Sequence, residues 1–245
     1  MKFADKIVVI TGAAAGIGKE TVKAFANEGA NVVLVDLHEE TLQATAEDLQ
    51  LTEGKYLLVQ ADVSKEEQVE RYVQLTKEKF GRIDVFFNNA GVEGVVQPIT
   101  DYPSETLDLV VDVNIKGVFY GLKHVLRVMQ EQKSGSVINM SSIAGLKGSP
   151  NVSAYITSKH AVVGLTKATA IEAATYGVRV NAVNPSPVNT RMMRSLVKEN
   201  LTKTIPLGRY GESDDVANAV LYLASEQANF ITGVIFPVDG GLSAQ

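Results

Sequence analysis

The chain has 245 residues, 45% hydrophobic and 21% charged, with a formal net charge of −5. That composition is ordinary for a globular protein and excludes a disordered or fibrous chain. With no cysteine and three scattered histidines (His38, His124 and His160), no disulfide framework, thiolate nucleophile or metal site is expected.

The acidic balance, free of long like-charge blocks, argues against nucleic acid or an anionic membrane as partner. Residues 1–6 are polar and the apolar run behind them covers only 7–10, too short for a signal peptide. No stretch approaches the roughly 18 apolar residues of a membrane span. The chain reads as soluble and cytoplasmic.

Taken in order, short Val- and Ile-rich runs alternate with amphipathic segments. A strand at 7–10 leads through a glycine loop into a helix, and a second strand follows at 32–35. Helix 39–50 carries Leu42, Ala46 and Leu49 at helical spacing, and strand 56–59 follows it. Helix 65–79 places Val69, Tyr72, Val73 and Thr76 on one face, ahead of strand 83–87. A long helix over 104–132 carries Leu107, Val110, Val111, Ile115 and Val118 as a stripe. Strand 136–140, helix 153–176, strand 178–183, helix 213–224 and strand 234–236 complete the series. The strands lack period-two alternation, as expected when both faces are buried in a parallel sheet. The pattern predicts an α/β fold, a Rossmann-type doubly wound parallel sheet of about seven strands in a single domain over 1–245.

One stretch breaks the rhythm. Residues 184–211 hold Pro185, Pro187 and Pro206 and a basic, Met-containing piece at 191–203. An insertion after a strand's C-terminal end is where such folds place ligand covers, here at about 187–207.

Between the first strand and first helix lies Gly12-x-x-x-Gly16-Ile17-Gly18. Glycines there let the backbone approach a pyrophosphate, and the helix N-terminus offers free N–H groups and a positive dipole end. Gly12, Gly16, Ile17 and Gly18 are therefore candidate dinucleotide contacts. Asp36 ends the second strand 20 residues after Gly16, followed by Leu37. An acid at that place accepts from adenosine ribose hydroxyls and repels a 2′-phosphate. The expected cofactor is NAD rather than NADP.

Tyr155 and Lys159 are spaced i, i+4 early in the 153–176 helix, so both can face one site. Alone the pair carries little. It occurs, however, with Asp62-Val63, Asn88-Asn89-Ala90-Gly91, Asn114, Ser141-Ser142, the 185–190 segment and Ile205-Pro206-Leu207-Gly208-Arg209, in that chain order. Along nearly its whole length the chain resembles the short-chain dehydrogenase/reductase family. The resemblance implies Tyr155 as general acid/base, Lys159 as its cationic neighbour and ribose contact, Ser142 orienting the substrate oxygen and Asn114 holding a relay water. Lysine would lower the phenol from its usual value near 10. Asp62 and Val63 would flank the adenine. Asn88, Asn89, Ala90 and Gly91 would pass under the adenosine ribose, Val188 and Thr190 would reach the carboxamide and pyrophosphate, and Pro185 would be a further cofactor contact.

The family usually has Pro-Gly where this chain has Pro185-Ser186. Serine suits that place unless positive φ is required there. By the same resemblance the substrate pocket is built from 92–95, 143–152 and the cover. Leu146, Val152, Met192 and Met193 would make it mainly apolar, with Glu93 and Asn151 as polar contacts. A secondary alcohol or ketone of modest size, alicyclic or a diol, fits, as does a homotetramer paired through helices 104–132 and 153–176. A 3-oxoacyl carrier-protein reductase is the alternative, with Arg191, Arg194, Lys198 and Lys203 as a basic patch. A non-catalytic NAD-binding sensor is a further one.

Overall fold

A computed structural model describes residues 1–190 and 201–245. Seven strands are present: β1 Ile7–Thr11, β2 Asn31–Asp36, β3 Tyr56–Gln60, β4 Val85–Asn88, β5 Gly135–Met140, β6 Val178–Pro185 and β7 Ile235–Val238. They form one parallel sheet in the order β3-β2-β1-β4-β5-β6-β7. The helices are α1 Gly16–Asn27, α2 Glu39–Asp48, α3 Glu66–Phe80, α4 Ser104–Val111, α5 Val118–Gln132, α6 Ser153–Ala174 and α7 Ser213–Ala224. The single-domain doubly wound fold predicted from the alternation is the one observed.

The strands are apolar on both faces because helices cover both. On one side Val9, Val33, Phe86 and Val137 pack with Val69 and Tyr72 of α3, Leu122 and Val125 of α5 and Val162 of α6. On the other, Val8, Ile10, Leu34 and Ile138 meet Val22 and Phe25 of α1, Leu42 of α2 and Val216 and Leu223 of α7. Each fully buried side chain of this size contributes roughly 1.5–3 kcal/mol of transfer free energy.

The single helix expected over 104–132 is divided. A π-helical turn, Asp112–Gly117, separates α4 from α5. Such a turn shifts the carbonyls out of their i→i+4 register, and it is frequent at functional sites. Asn114 lies in its middle, where the apolar stripe is interrupted by a residue of weak helix propensity.

The strand order reverses between β1 and β4, which opens a crevice at their C-terminal ends. No helix among the described residues is long and apolar enough to cross a membrane. Met192, Met193, Arg191, Arg194 and Lys198 lie outside the described residues.

Candidate active site

At the first βα turn, Gly12 has φ +64° and a Cβ there would stand 2.9 Å from Asn89 Nδ2 and 3.0 Å from Ala90 Cα. At Gly18 a Cβ would collide with the Gly12 carbonyl. Both glycines are thus required by close backbone approach. The N-cap of α1, Ala15, provides no side-chain hydrogen bond, and no acid lies in the first turn. The helix start keeps its N–H groups and dipole available for an anion. Gly16 and Ile17 begin α1, and a Cβ on Gly16 would stand 3.4 Å from the Thr190 methyl. The cradle thus faces the start of the 187–207 segment, as a dinucleotide would need.

Asp36 stands at the end of β2, half-buried. One carboxylate oxygen accepts from Ala14 N at 2.9 Å and the other from Leu37 N at 2.7 Å. The aspartate therefore also braces the glycine loop, a role the spacing did not reveal, and its remaining lone pairs can accept ribose hydroxyls. Leu37 is exposed beside it. At the end of β3, Asp62 accepts from Ser64 N at 2.9 Å. Val63 packs against Gly117 of the π turn.

The loop after β4 is fixed from below. Asn88 donates to Val118 O at 3.0 Å. Asn89 donates to Thr11 O and Gly12 O, at 2.9 and 3.2 Å. The N–H groups of Asn89 and Ala90 both donate to Thr11 Oγ1 at 3.0 Å. The two asparagine side chains hold β4 and the glycine loop, leaving Ala90 and Gly91 as the surface the loop presents. A Cβ on Gly91 would be 3.2 Å from Asn114 Oδ1 and 3.5 Å from Lys159 Nζ. That contact ties the nucleotide end of the crevice to the chemical end.

Asn114 is 1% exposed. Its Oδ1 accepts from Val92 N at 2.8 Å, and its Nδ2 donates to Val92 O at 2.7 Å and Ser158 Oγ at 3.0 Å. Both amide protons are used.

Tyr155 and Lys159 share one face of α6, whose buried positions (Ala154, Ser158, Lys159, Val162, Thr166, Ala170) run as a stripe of mostly small residues against β5 and β6. Ser142, at the end of β5, caps a short 3₁₀ turn by accepting from Ala144 N at 3.1 Å, and its hydroxyl hydrogen-bonds the Tyr155 side chain. Asn184 of β6 donates to Ser142 O at 2.7 Å and fixes that corner. Lys159 is 4% exposed and its Nζ donates to Met140 O at 2.9 Å, 5.5 Å from the Tyr155 ring centroid.

The electrostatics differ from the expectation of a lysine-lowered phenol. Burial pushes the Tyr155 phenol up to about 12; the Ser142 hydrogen bond opposes this and the Glu93 carboxylate adds to it. Burial likewise brings the Lys159 ammonium down to about 8. Both charged forms are penalised by desolvation, and the lysine amine is drawn to a carbonyl rather than to the phenol.

At the end of β6, Ser186 is buried and donates its N–H to Val238 O at 3.1 Å. It is not among the non-glycine residues of positive φ, so serine replaces the family's glycine there without backbone strain. Pro185 closes the strand. Val188 is buried and pairs with Gly211.

Of the segments expected to line the substrate, 92–95 and 143–152, the second is tied to the residues just beyond the first by Gln97 N donating to Asn151 O at 2.8 Å. Leu146 is exposed and Val152 half-buried. No group of three or more His, Cys, Asp or Glu side chains that could hold a metal occurs among the described residues.

Comparison with known proteins agrees with this geometry. A family model described as enoyl-(acyl carrier protein) reductase matches residues 12–243. The chain is 41% identical to levodione reductase of Leifsonia aquatica, over 99% of this chain and 96% of that one. It is 38% identical to 3-oxoacyl-(acyl-carrier-protein) reductase of Thermotoga maritima, over 99% of each. It is 35% identical to cyclohexanol dehydrogenase of Acinetobacter sp. strain SE19, over 100% and 97%. The crystal structure of levodione reductase superposes with a TM-score of 0.94 at 42% identity, covering 99% of both chains.

Proposed function

The chain belongs to the short-chain dehydrogenase/reductase family of oxidoreductases, and from that premise we propose that it exchanges a hydride between NAD(H) and a secondary alcohol or ketone of modest size. The observation that carries this reading is the meeting of the Ser142 and Tyr155 hydroxyls, with Lys159 behind them, beside a glycine cradle and an acidic β2 terminus. The relatives' names, levodione reductase and cyclohexanol dehydrogenase, favour an alicyclic alcohol or ketone.

The nicotinamide, when bound, takes or returns the hydride of the carbinol carbon. Ser142 holds the substrate oxygen and Tyr155 Oη takes the hydroxyl proton in oxidation, or supplies it in reduction. Lys159, whose amine titrates near working pH, exchanges protons behind the phenol. The π turn around Asn114 changes the pairing of its carbonyls from the α-helical pattern, and we read that turn as the seat of the relay water. Pro185, Val188 and Thr190 support the nicotinamide end. Asp62, Val63, Ala90 and Gly91 line the adenosine end, the whole chain acting as one catalytic domain with its cover at about 187–207.

Asp36 is the reason for choosing NAD over NADP. The 3-oxoacyl carrier-protein reductase reading is supported by one 38% identical relative, but Asp36 disfavours NADPH, the usual cofactor of biosynthetic reduction. A homotetramer is the assembly we propose. Leu107 of α4 and Phe119 of α5 are 43% and 50% exposed and Ile171 of α6 is 76% exposed, apolar surface on the helices through which we propose the pairing.

Steady-state assays of cyclohexanol-type alcohols with NAD⁺ and NADP⁺ test both parts. We expect kcat/KM to be at least about tenfold higher with NAD⁺, Asp36→Ala to erase the difference, and Tyr155→Phe to lower kcat by about 10²–10⁴-fold with nicotinamide binding retained. Equal use of the two cofactors by the wild type removes the NAD assignment. Undiminished turnover in Tyr155→Phe removes the mechanism.

A further inference from the structure

Among the described residues, Asn184 Oδ1 is the one buried side-chain oxygen or nitrogen with no hydrogen-bond partner. The residue is 0% exposed, so bulk solvent does not reach that oxygen. A buried acceptor left unpaired is destabilising, and native chains keep few of them. Turning the amide over does not relieve it. The group it faces is the Ser142 carbonyl, which only accepts, so the NH₂ end must point there, and Nδ2 donates at 2.7 Å. Nor does the carbonyl depend on this bond for a partner, because Gly145 N donates to Ser142 O at 2.8 Å. Satisfying polar groups therefore does not explain the asparagine.

The amide adds a tie between strands. β5 and β6 are paired through their backbones up to Ser141 N, which donates to Val183 O at 2.9 Å. The next rung of a parallel ladder needs an N–H from residue 185, and Pro185 has none. Ser142 lies one residue past that last rung and is bound to β6 through the Asn184 side chain. Proline also confines Asn184 itself to extended angles, so the amide is presented from a stiff support. Ser142 is extended, at φ −169° and ψ 165°. With two donors on its carbonyl, its peptide plane is kept from turning, and the direction of its Cα–Cβ bond is set with it.

We propose that Asn184 is a positioning residue, which pins the Ser142 backbone so that the Ser142 hydroxyl is aimed at the reacting oxygen and the Tyr155 phenol, and that its unpaired oxygen is tolerated for this role. The proposal rests on the hydride-transfer reading above, in which Ser142 holds the substrate oxygen. Asn184 acts only through Ser142.

Initial rates with cyclohexanol and trans-cyclohexane-1,2-diol, each with NAD⁺ and with NADP⁺, are compared in the wild type, Asn184→Ala, Asn184→Val, Ser142→Ala and the Asn184→Ala, Ser142→Ala double variant. Melting temperature and nicotinamide binding by fluorescence check each fold. Asn184→Ala is expected to lower kcat by about tenfold, the scale of one misaligned hydrogen bond, with nicotinamide Kd unchanged. In the Ser142→Ala background the same substitution should change kcat by less than about twofold, because residues that act through one another are not additive. The rising limb of kcat/KM against pH should move to higher pH in Asn184→Ala, since the Ser142 hydrogen bond opposes the rise of the Tyr155 phenol. The melting temperature should stay within about 3 °C of wild type, the lost amide bond being offset by removal of the unpaired oxygen. Asn184→Val, which keeps the strand filled, reads the same effects if the alanine variant does not fold.

Turnover within about twofold of wild type in a folded Asn184 variant overturns the proposal and leaves the dehydrogenase reading intact. So does an equal loss with and without the Ser142 hydroxyl, which would place the effect elsewhere. If neither Asn184 variant folds, the residue serves stability and the proposal is likewise overturned. If the wild type oxidises neither alcohol with either cofactor, the dehydrogenase reading fails and this inference with it.

Discussion

Lys159 shows how a single residue sets function against stability. Its drop from an ordinary 10.5 to about 8 corresponds to ~3 kcal/mol against the buried ammonium. The unfolded lysine keeps its proton up to 10.5, whereas the folded one releases it at about 8. The cost is therefore full below pH 8 and fades as pH rises toward 10.5. Lys159→Met removes that cost but takes the donor from Met140 O, which returns ~1–3 kcal/mol. Thermal melts should show the variant up to ~2 kcal/mol more stable than wild type at pH 7. That advantage should shrink between pH 8 and 10.5, while turnover falls at least about 100-fold. A stability difference independent of pH would mean that the lysine keeps its charge in the folded chain.

At the scale of the element, the π turn and the loop after β4 form one unit joined through Asn114. A straight helix over 104–132 would satisfy propensity. The turn instead places an amide where it closes a two-bond bridge with the Val92 backbone and a third bond with Ser158, three residues after Tyr155. Asn114→Leu conserves volume and strips all three. It leaves the Val92 N–H and carbonyl without these partners, each lost partner costing ~1–3 kcal/mol. Urea denaturation should show a loss of ~2–4 kcal/mol. The alcohol KM should rise more than the nicotinamide Kd, because the released segment is the one we propose as substrate wall, whereas the glycine loop has its own supports in Asp36, Asn89 and Thr11.

Across the whole molecule, the C-terminal turn links the two sides of the substrate crevice. Lys147, in the segment between Ser142 and Tyr155, donates to Leu242 O at 2.6 Å and Gln245 O at 3.1 Å. Gln245 in turn donates to Thr204 O at 2.7 Å, and Leu207 N to Gly240 O at 3.1 Å. Asp239, 8% exposed, folds the turn by accepting from Gly241 N and Ser243 N. The end of the 187–207 segment is thereby registered against the loop that carries the chemistry. Initial-rate measurements on Lys147→Met should show the alcohol KM raised several-fold, less than the full worth of one charge-assisted hydrogen bond because the effect on the alcohol is indirect. The nicotinamide Kd from fluorescence titration should be unchanged. A shift confined to the nicotinamide would show that the turn serves the other end of the crevice.

The sequence alone determined the sheet, its seven strands and the order of chemistry-bearing residues along the chain. Strands buried on both faces must be apolar throughout, covering helices must be amphipathic, and a pyrophosphate cradle needs glycine where the backbone crowds itself, as at Gly12 and Gly18. Those requirements act over a few residues and so leave a local trace. Only the tertiary structure decided that the helix at 104–132 breaks around Asn114, that Asp36 braces the loop it faces and that Lys159 turns to Met140 O. Each depends on partners about 20 residues away in the chain. Hydrogen bonds and desolvation are set by what folding brings near, a quantity that no local pattern carries.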